Sequence, residues 1–135
     1  MDKAQQILKS VYGYDSFRPL QKEIIDYVVS GHDALVLMPT GGGKSVCYQI
    51  PALMLDGVAI VVSPLISLMK DQVEDLRRRG VEAEALYMGM RTEDIESVTN
   101  KCVYAGVRFL YVSPERLTSA RFRERLRQMP VRLIA

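Results

Sequence analysis

Along the first thirty residues, apolar positions recur at helical spacing. Ile7, Leu8 and Val11 share a face in QQILKSVYGY, and Gly13 stops that helix. FRPLQKEIIDYVVSG repeats the pattern, with Leu20, Ile24, Tyr27 and Val28 on one face, Pro19 in the first turn and Gly31 at the stop. The period then changes. DALVLM is a short continuous apolar run, the pattern of a strand buried on both faces. A glycine loop follows, and KSVCYQIPALML reads as a helix bent near Pro51. GVAIVVS is a second buried strand. PLISLMKDQVEDLRRRG is the next helix, with Ser63 as N-cap, Pro64 as first helical residue and Gly80 at its end. VEAEALY is a shorter strand, and RTEDIESVTNKCVYAG a helix that turns Ile95, Val98, Cys102 and Val103 inward. VRFLYVS is again strongly strand-like. PERLTS opens with the same Ser-Pro signal at Ser113 and Pro114, ARFRERLRQM is a short basic helix, and PVRLIA is one more apolar strand. Strands alternating with helices at this spacing predict an α/β fold: a parallel sheet with helices on both faces and right-handed crossovers.

Composition narrows the class without changing this picture. The 135 residues fit one domain, and 48% hydrophobic with 25% charged residues are ordinary globular values. A net charge of +2 neither requires nor excludes a polyanionic partner. Cys47 and Cys102 stand far apart with no CxxC, which argues against a disulfide scaffold or zinc knuckle and for a reducing, cytoplasmic setting. The N-terminus lacks a signal-peptide core, and no apolar run approaches the roughly 18 residues of a membrane span. A soluble chain with no membrane partner is expected.

The glycine loop, MPTGGGKS, carries the strongest chemistry. It follows an apolar run and opens a helix. There, successive backbone N–H groups form a concavity suited to anions, and the helix N-terminus adds partial positive charge. Thr40, Gly41, Gly42 and Gly43 form the cradle, and Gly42 and Gly43 admit phosphate without a Cβ in the way. Lys44 is expected to reach the β- and γ-phosphates as the catalytic lysine, and the Ser45 hydroxyl to ligate Mg²⁺. Met38 stands where the usual motif has its first glycine. One helix earlier, GYDSFRPLQ places Tyr14, Arg18 and Gln21. A glutamine amide matches the N6 and N7 edge of adenine, and Tyr14 and Arg18 offer flat faces for stacking a base. The Ser-Pro sites, SPLISLMKDQ and SPERL, both end strong strands and should share a rim of the sheet with the phosphate loop. Helix N-termini with a serine hydroxyl are good donors to backbone phosphates, but simple N-capping is the more direct reading of each site taken alone.

Other features carry less. Arg77–Arg79 and the stretch from Arg121 to Arg127 read as solvated helix faces, with Arg121 and Arg125 on one face and Arg123 and Arg127 on another. His32 reads as a loop histidine. No Ser-His-Asp, Cys-His or metal cluster can be assembled, and no apolar strand runs directly into an acidic residue. Glu115 comes nearest, but Ser113 and Pro114 place it in a first helical turn, as a helix-dipole residue.

Taken in order, YGYDSFRPLQKEII, MPTGGGKSVCYQIPA, VVSPLISLMKDQV and YVSPERL resemble the first motifs of the RecQ family of DNA helicases, over about Val11 to Ala135. The resemblance accounts for Met38, common at that position in the family. It implies a P-loop, RecA-like parallel sheet flanked by helices, truncated, with residues 1–135 as the N-terminal part of the first helicase ATP-binding domain. It implies ATP and Mg²⁺ as cofactors, with Tyr14, Arg18 and Gln21 in the adenine-reading motif and Lys44 and Ser45 at the nucleotide and metal. It further implies that Ser63, Pro64, Leu65, Ser113, Glu115 and Arg116 contact single-stranded DNA. A strand like VRLIA leads in this family into Asp-Glu-Ala-His, so the chain is expected to be part of a longer protein. That protein would be an ATP-driven DNA helicase of 3′ to 5′ polarity in recombination and repair, acting on DNA with a single-stranded 3′ region. The piece itself would bind nucleotide weakly without turnover and self-associate through its unfinished sheet. A truncated nucleotide- or partner-binding module is the alternative. A small P-loop kinase would need an acceptor site and a lid, and the sequence offers neither.

Overall fold

In the computed structural model, which describes residues 2–38 and 43–135, helices gather in the first part of the chain and strands in the second. The division falls between Asp56 and Gly57. The first unit holds α1 (Lys3–Tyr12), α2 (Gln21–Val29) and α3 (Lys44–Met54). Asp2 caps α1 by accepting from the Gln5 amide at 2.8 Å. Leu8 is buried as the spacing requires, and Ile7 and Val11 pack beside it. Ala4, Leu8 and Tyr12 of α1, Ile25 of α2, and Val46 and Ile50 of α3 form one apolar cluster. Within it, the Tyr12 hydroxyl donates to Gln49 Oε1 at 2.6 Å. Pro51 lies inside α3, where it withholds one helical N–H.

Two expectations fail in this unit. DALVLM forms no strand: residues 33–38 have no ladder partner, and Leu35 and Leu37 are 90% and 88% exposed. An apolar run becomes a strand only when another strand takes its N–H and C=O groups, and the described part of this unit is helical. Helix α2 also starts later and faces differently. Pro19 sits in a turn ahead of it, and Leu20, at φ 71, ends that turn in the left-handed region. The buried positions are Gln21 and Ile25, whereas Leu20 and Tyr27 are exposed. The reason is Gln21, whose polar side chain is drawn inward by hydrogen bonds described below.

The second unit comprises β1 (Val58–Val62), α4 (Ile66–Arg78), β2 (Ala83–Leu86), α5 (Thr92–Tyr104), β3 (Phe109–Val112), a 3-10 helix (Pro114–Thr118), α6 (Ala120–Leu126) and β4 (Val131–Ile134). The strands pair in parallel in the order β2-β3-β1-β4, with Ile60 opposite Leu110 and Ile134, and Glu84 opposite Leu110. All four residues of β3 are buried, as a central parallel strand requires. Val58, Ile60, Leu110 and Val112 face Val98 and Cys102 of α5 and Phe122 of α6. On the other face lies α4, which buries Met69, Val73 and Leu76; its Gln72 Oε1 accepts from Tyr111 at 3.4 Å. Helices therefore cover both faces, as the sequence predicts. Gly57 (φ 150) opens β1, where a Cβ would strike the Pro130 carbonyl, the group that accepts from Val58 N at 2.8 Å. On edge strand β2, Glu84 is clasped by Arg77 of α4 at 2.8 Å and Lys101 of α5 at 3.4 Å.

Candidate functional site

Gly43 is the last residue of the glycine loop within the described structure; Thr40, Gly41 and Gly42 lie outside the described residues. It holds the N-cap of α3 at φ 84, a conformation that disfavours any side chain. A Cβ there would also collide with Gln21 Nε2. The amide of Gln21 sits against this backbone: Nε2 donates to the Gly43 carbonyl at 3.2 Å, and Oε1 accepts from Arg18 N at 2.8 Å. Gln21 is 3% exposed, so these bonds satisfy an amide that has left water. The fold thus brings Arg18, Gln21 and Gly43 together. Lys44, exposed, and Ser45, half-buried, follow as the first two residues of α3. Tyr14 is 53% exposed just beyond the end of α1.

The arrangement suits an anion with a flat polar group beside it. Backbone N–H groups at the start of α3 have no helical acceptors, and Lys44 adds a full positive charge. A Cβ-free glycine and a helix N-terminus fit a polyphosphate. Ser45 offers a metal one oxygen; among the described residues no group of three His, Cys, Asp or Glu side chains could hold one. A single hydroxyl oxygen is the kind of hard ligand that Mg²⁺ takes beside phosphate and water.

In the second unit, Ser63 and Ser113 follow the paired residues Val62 and Val112, and Ser63 N donates to the Val112 carbonyl at 3.0 Å. The two Ser-Pro turns are therefore neighbours on the C-terminal rim of the sheet. Their capping differs from expectation. Helix α4 begins at Ile66 with Leu65 as N-cap, so neither Ser63 nor Pro64 takes its assigned place. Ser63 Oγ instead accepts from Leu65 N at 3.4 Å, closing a small turn ahead of the helix. Leu65 is 58% exposed. Ser113 does occupy an N-cap position, with Pro114 next, but its buried hydroxyl makes no cap bond and has no partner among the described residues. Glu115 is exposed in the first turn of the 3-10 helix. Arg116 turns inward and donates to the Tyr87 carbonyl at 2.9 Å, bracing the β2–α5 connection.

The basic stretches are more engaged than solvated faces would be. Arg77 Nε donates to the Ala83 carbonyl at 2.9 Å, and Arg79 pairs with Asp75 at 3.0 Å. Arg121 and Arg125 do share a face, and it meets α5: Arg121 pairs with Glu96, and Arg125 donates to Thr99 Oγ1 at 3.3 Å and to Asn100. His32 is the loop histidine expected, stacked on Tyr27 at 4.4 Å. Neither cysteine is poised as a nucleophile. Burial raises the Cys47 thiol pKa, and burial with the nearby Glu84 charge pushes Cys102 up to about 12.

The sequence reading passed over three structural partners. Tyr12 and Gln49 form the buried bond that ties α1 to α3, and Tyr87 receives Arg116 while its ring lies 4.8 Å beneath Lys70 Nζ. A glutamine among the apolar positions of KSVCYQIPA was the available signal for the first pair. Tyr87 carried none.

Comparison with known proteins adds identity to this geometry. Residues 18–134 match the family model described as DEAD/DEAH box helicase. The chain is 51% identical over 119 residues to the ATP-dependent DNA helicase RecQ of Haemophilus influenzae, covering 88% of this chain and 19% of that protein. It is 42% identical over 133 residues to the probable ATP-dependent DNA helicase RecS of Bacillus subtilis, covering 98% and 27%. The chain thus spans about a fifth to a quarter of the length of these curated relatives. Among solved structures, the DUF1998 helicase MrfA bound to DNA shares the fold, with TM-score 0.80 at 19% identity over 99% of this chain and 20% of that one.

Proposed function

The chain belongs to the DEAD/DEAH box helicase family, and on that premise we propose that residues 1–135 are the N-terminal part of the first motor domain of a RecQ-type, ATP-dependent DNA helicase. The observation that carries the nucleotide half of this reading is the contact of Gln21 with Gly43 at the start of α3. In support, a carboxamide, the type of group that matches a purine edge, lies beside the glycine that opens α3. In this reading Lys44 neutralises the β- and γ-phosphates, Ser45 ligates Mg²⁺, and the described Gly43 with the Thr40–Gly42 stretch cradles the polyphosphate. Tyr14 and Arg18 flank the base. Bound Mg²⁺ would supply charge neutralisation at the transferred phosphoryl group. The rim formed by Ser63, Pro64, Leu65, Ser113 and Glu115 takes the backbone of a DNA strand with a single-stranded 3′ region, and Arg116 supports it by holding the β2–α5 connection in place.

The longer protein would translocate 3′ to 5′ in the cytoplasm and serve recombination and repair. This chain alone would bind ATP weakly and not turn it over, because a two-lobed motor closes on nucleotide from both sides. Its open sheet edge would favour self-association. Titration with a fluorescent ATP analogue should give a saturable signal that Lys44→Ala abolishes. DNA-stimulated hydrolysis by the unmodified chain would overturn the claim of no turnover. An unchanged titration in Lys44→Ala would remove the nucleotide site itself.

A further inference from the structure

The arginines between the 3-10 helix and the end of α6 serve no part of the function proposed above, apart from the bracing role of Arg116. They nevertheless converge. Arg116, Arg121 and Arg125 line a pocket of about 180 Å³ against α5, together with Thr92 and Ser119. At roughly 30 Å³ per water, this is room for a phosphate group and its hydration. The nearest acid is Glu96, held by Arg121. The other acids at the start of α5, Glu93 and Asp94, are taken by Arg91 at 3.8 and 3.0 Å, and Glu124 of α6 is taken by Arg127 at 3.3 Å. Three guanidiniums against one carboxylate leave the pocket with surplus positive charge. Its donors are only partly spent: Arg125 gives its terminal nitrogens to Gln128 at 3.0 Å and to Thr99 and Asn100, and Arg121 gives one to Glu96. The Nε–H groups of Arg116 and Arg125 are buried without an acceptor among the described residues. Ser119 Oγ accepts from Phe122 N at 3.2 Å, which leaves its hydroxyl proton to give.

The position is as informative as the charge. The 3-10 helix leaves the C-terminal end of β3, and α5 begins after the C-terminal end of β2. The Thr92 end of the pocket therefore lies toward the same rim as Ser63 and Ser113. We infer that this pocket binds one phosphate group, that of a nucleic-acid backbone crossing the rim, through the guanidiniums of Arg121 and Arg125 with Thr92 and Ser119. Guanidinium forks match phosphate oxygens in pairs, and Glu96 is the internal anion that the phosphate displaces. The inference rests on the DNA reading of the rim for the source of the phosphate, not for the site.

The test uses the full 135-residue chain, a labelled single-stranded oligothymidylate and, separately, inorganic phosphate followed by amide NMR. Arg121→Ala should weaken oligonucleotide binding several-fold and lower the salt slope by about one ion. Glu96→Gln should tighten binding, a gain that a purely structural role for these residues would not produce. Arg78→Ala, an exposed arginine of α4 outside the pocket, controls for general charge. Wild-type binding that neither pocket variant alters beyond the Arg78→Ala control overturns the pocket and leaves the DNA reading standing. If the oligonucleotide does not bind but inorganic phosphate shifts the amides of Thr92 and Ser119 in wild type and not in Arg121→Ala, the phosphate site stands and the DNA reading fails. Silence in both arms refutes both.

Discussion

The two units bury apolar surface by different means. In residues 57–135, each central strand is flanked by strands that take its hydrogen bonds, and β3 loses all four of its side chains to the interior. In the first unit, three helices satisfy their own backbones and pack through side chains, while an equally apolar run, residues 33–38, leaves Leu35 and Leu37 exposed. Apolar content is similar in DALVLM and in VAIVV. What differs is the neighbour. A helix carries its hydrogen bonds within itself; a strand borrows them.

Four single substitutions, one of them also tested in a double variant, probe that contrast. Leu110→Ala, in the centre of β3 and fully buried, should cost about 2–5 kcal/mol, read from the urea midpoint. The matching change Leu35→Ala should stay within about 0.5 kcal/mol, as surface changes do. A comparable loss at both positions would mean that 33–38 is packed as a strand, and the contrast would collapse. Gly43→Ala should cost about 1–3 kcal/mol, since it meets both an unfavourable φ and the Gln21 amide. It should also weaken nucleotide-analogue binding if the proposed site is right. Combined with Gln21→Ala, the total cost should be less than the sum of the two single costs, because the clash is then counted once; full additivity would show that φ strain alone sets the cost of Gly43→Ala. Tyr12→Phe should lose about 1 kcal/mol by thermal melting, because it deletes the buried donor to Gln49. A neutral result would mean that apolar contact alone joins α1 to α3.

Most elements of the second unit were legible in the sequence, because buried strands and amphipathic helices leave periods that neighbours reinforce. VRFLYV and GVAIVV read as strands and are strands; Val98 and Cys102 read as inward and are inward. Helix starts were less legible. Proline at position 19 or 64 fits either a first helical turn or the turn before it, and local pattern cannot separate the two. In both cases the chain chose the turn, fixed by Gln21 and by Ser63. The face of α2 was misread because a buried glutamine looks like a surface residue until its partner, 22 positions away, is known. Arg121 and Arg125 were hidden for the same reason: their acceptors lie 25 or 26 residues upstream. The glycine loop and the stretch around Gln21 were legible as motifs, while the bond that joins them was not.

That bond limits how the chain can drift. A carboxamide has two protons and two lone pairs to give. Gln21 uses one proton on Gly43 and one lone pair on Arg18 N. Glutamate in its place would set oxygen against the Gly43 carbonyl, and asparagine would fall one methylene short. Leucine would fill the volume and leave two buried polar groups without partners. Position 21 therefore admits almost no substitution on grounds of architecture alone, before any ligand is considered. Folding alone is enough to hold a glutamine here, so an invariant glutamine at this position would not by itself reveal a ligand.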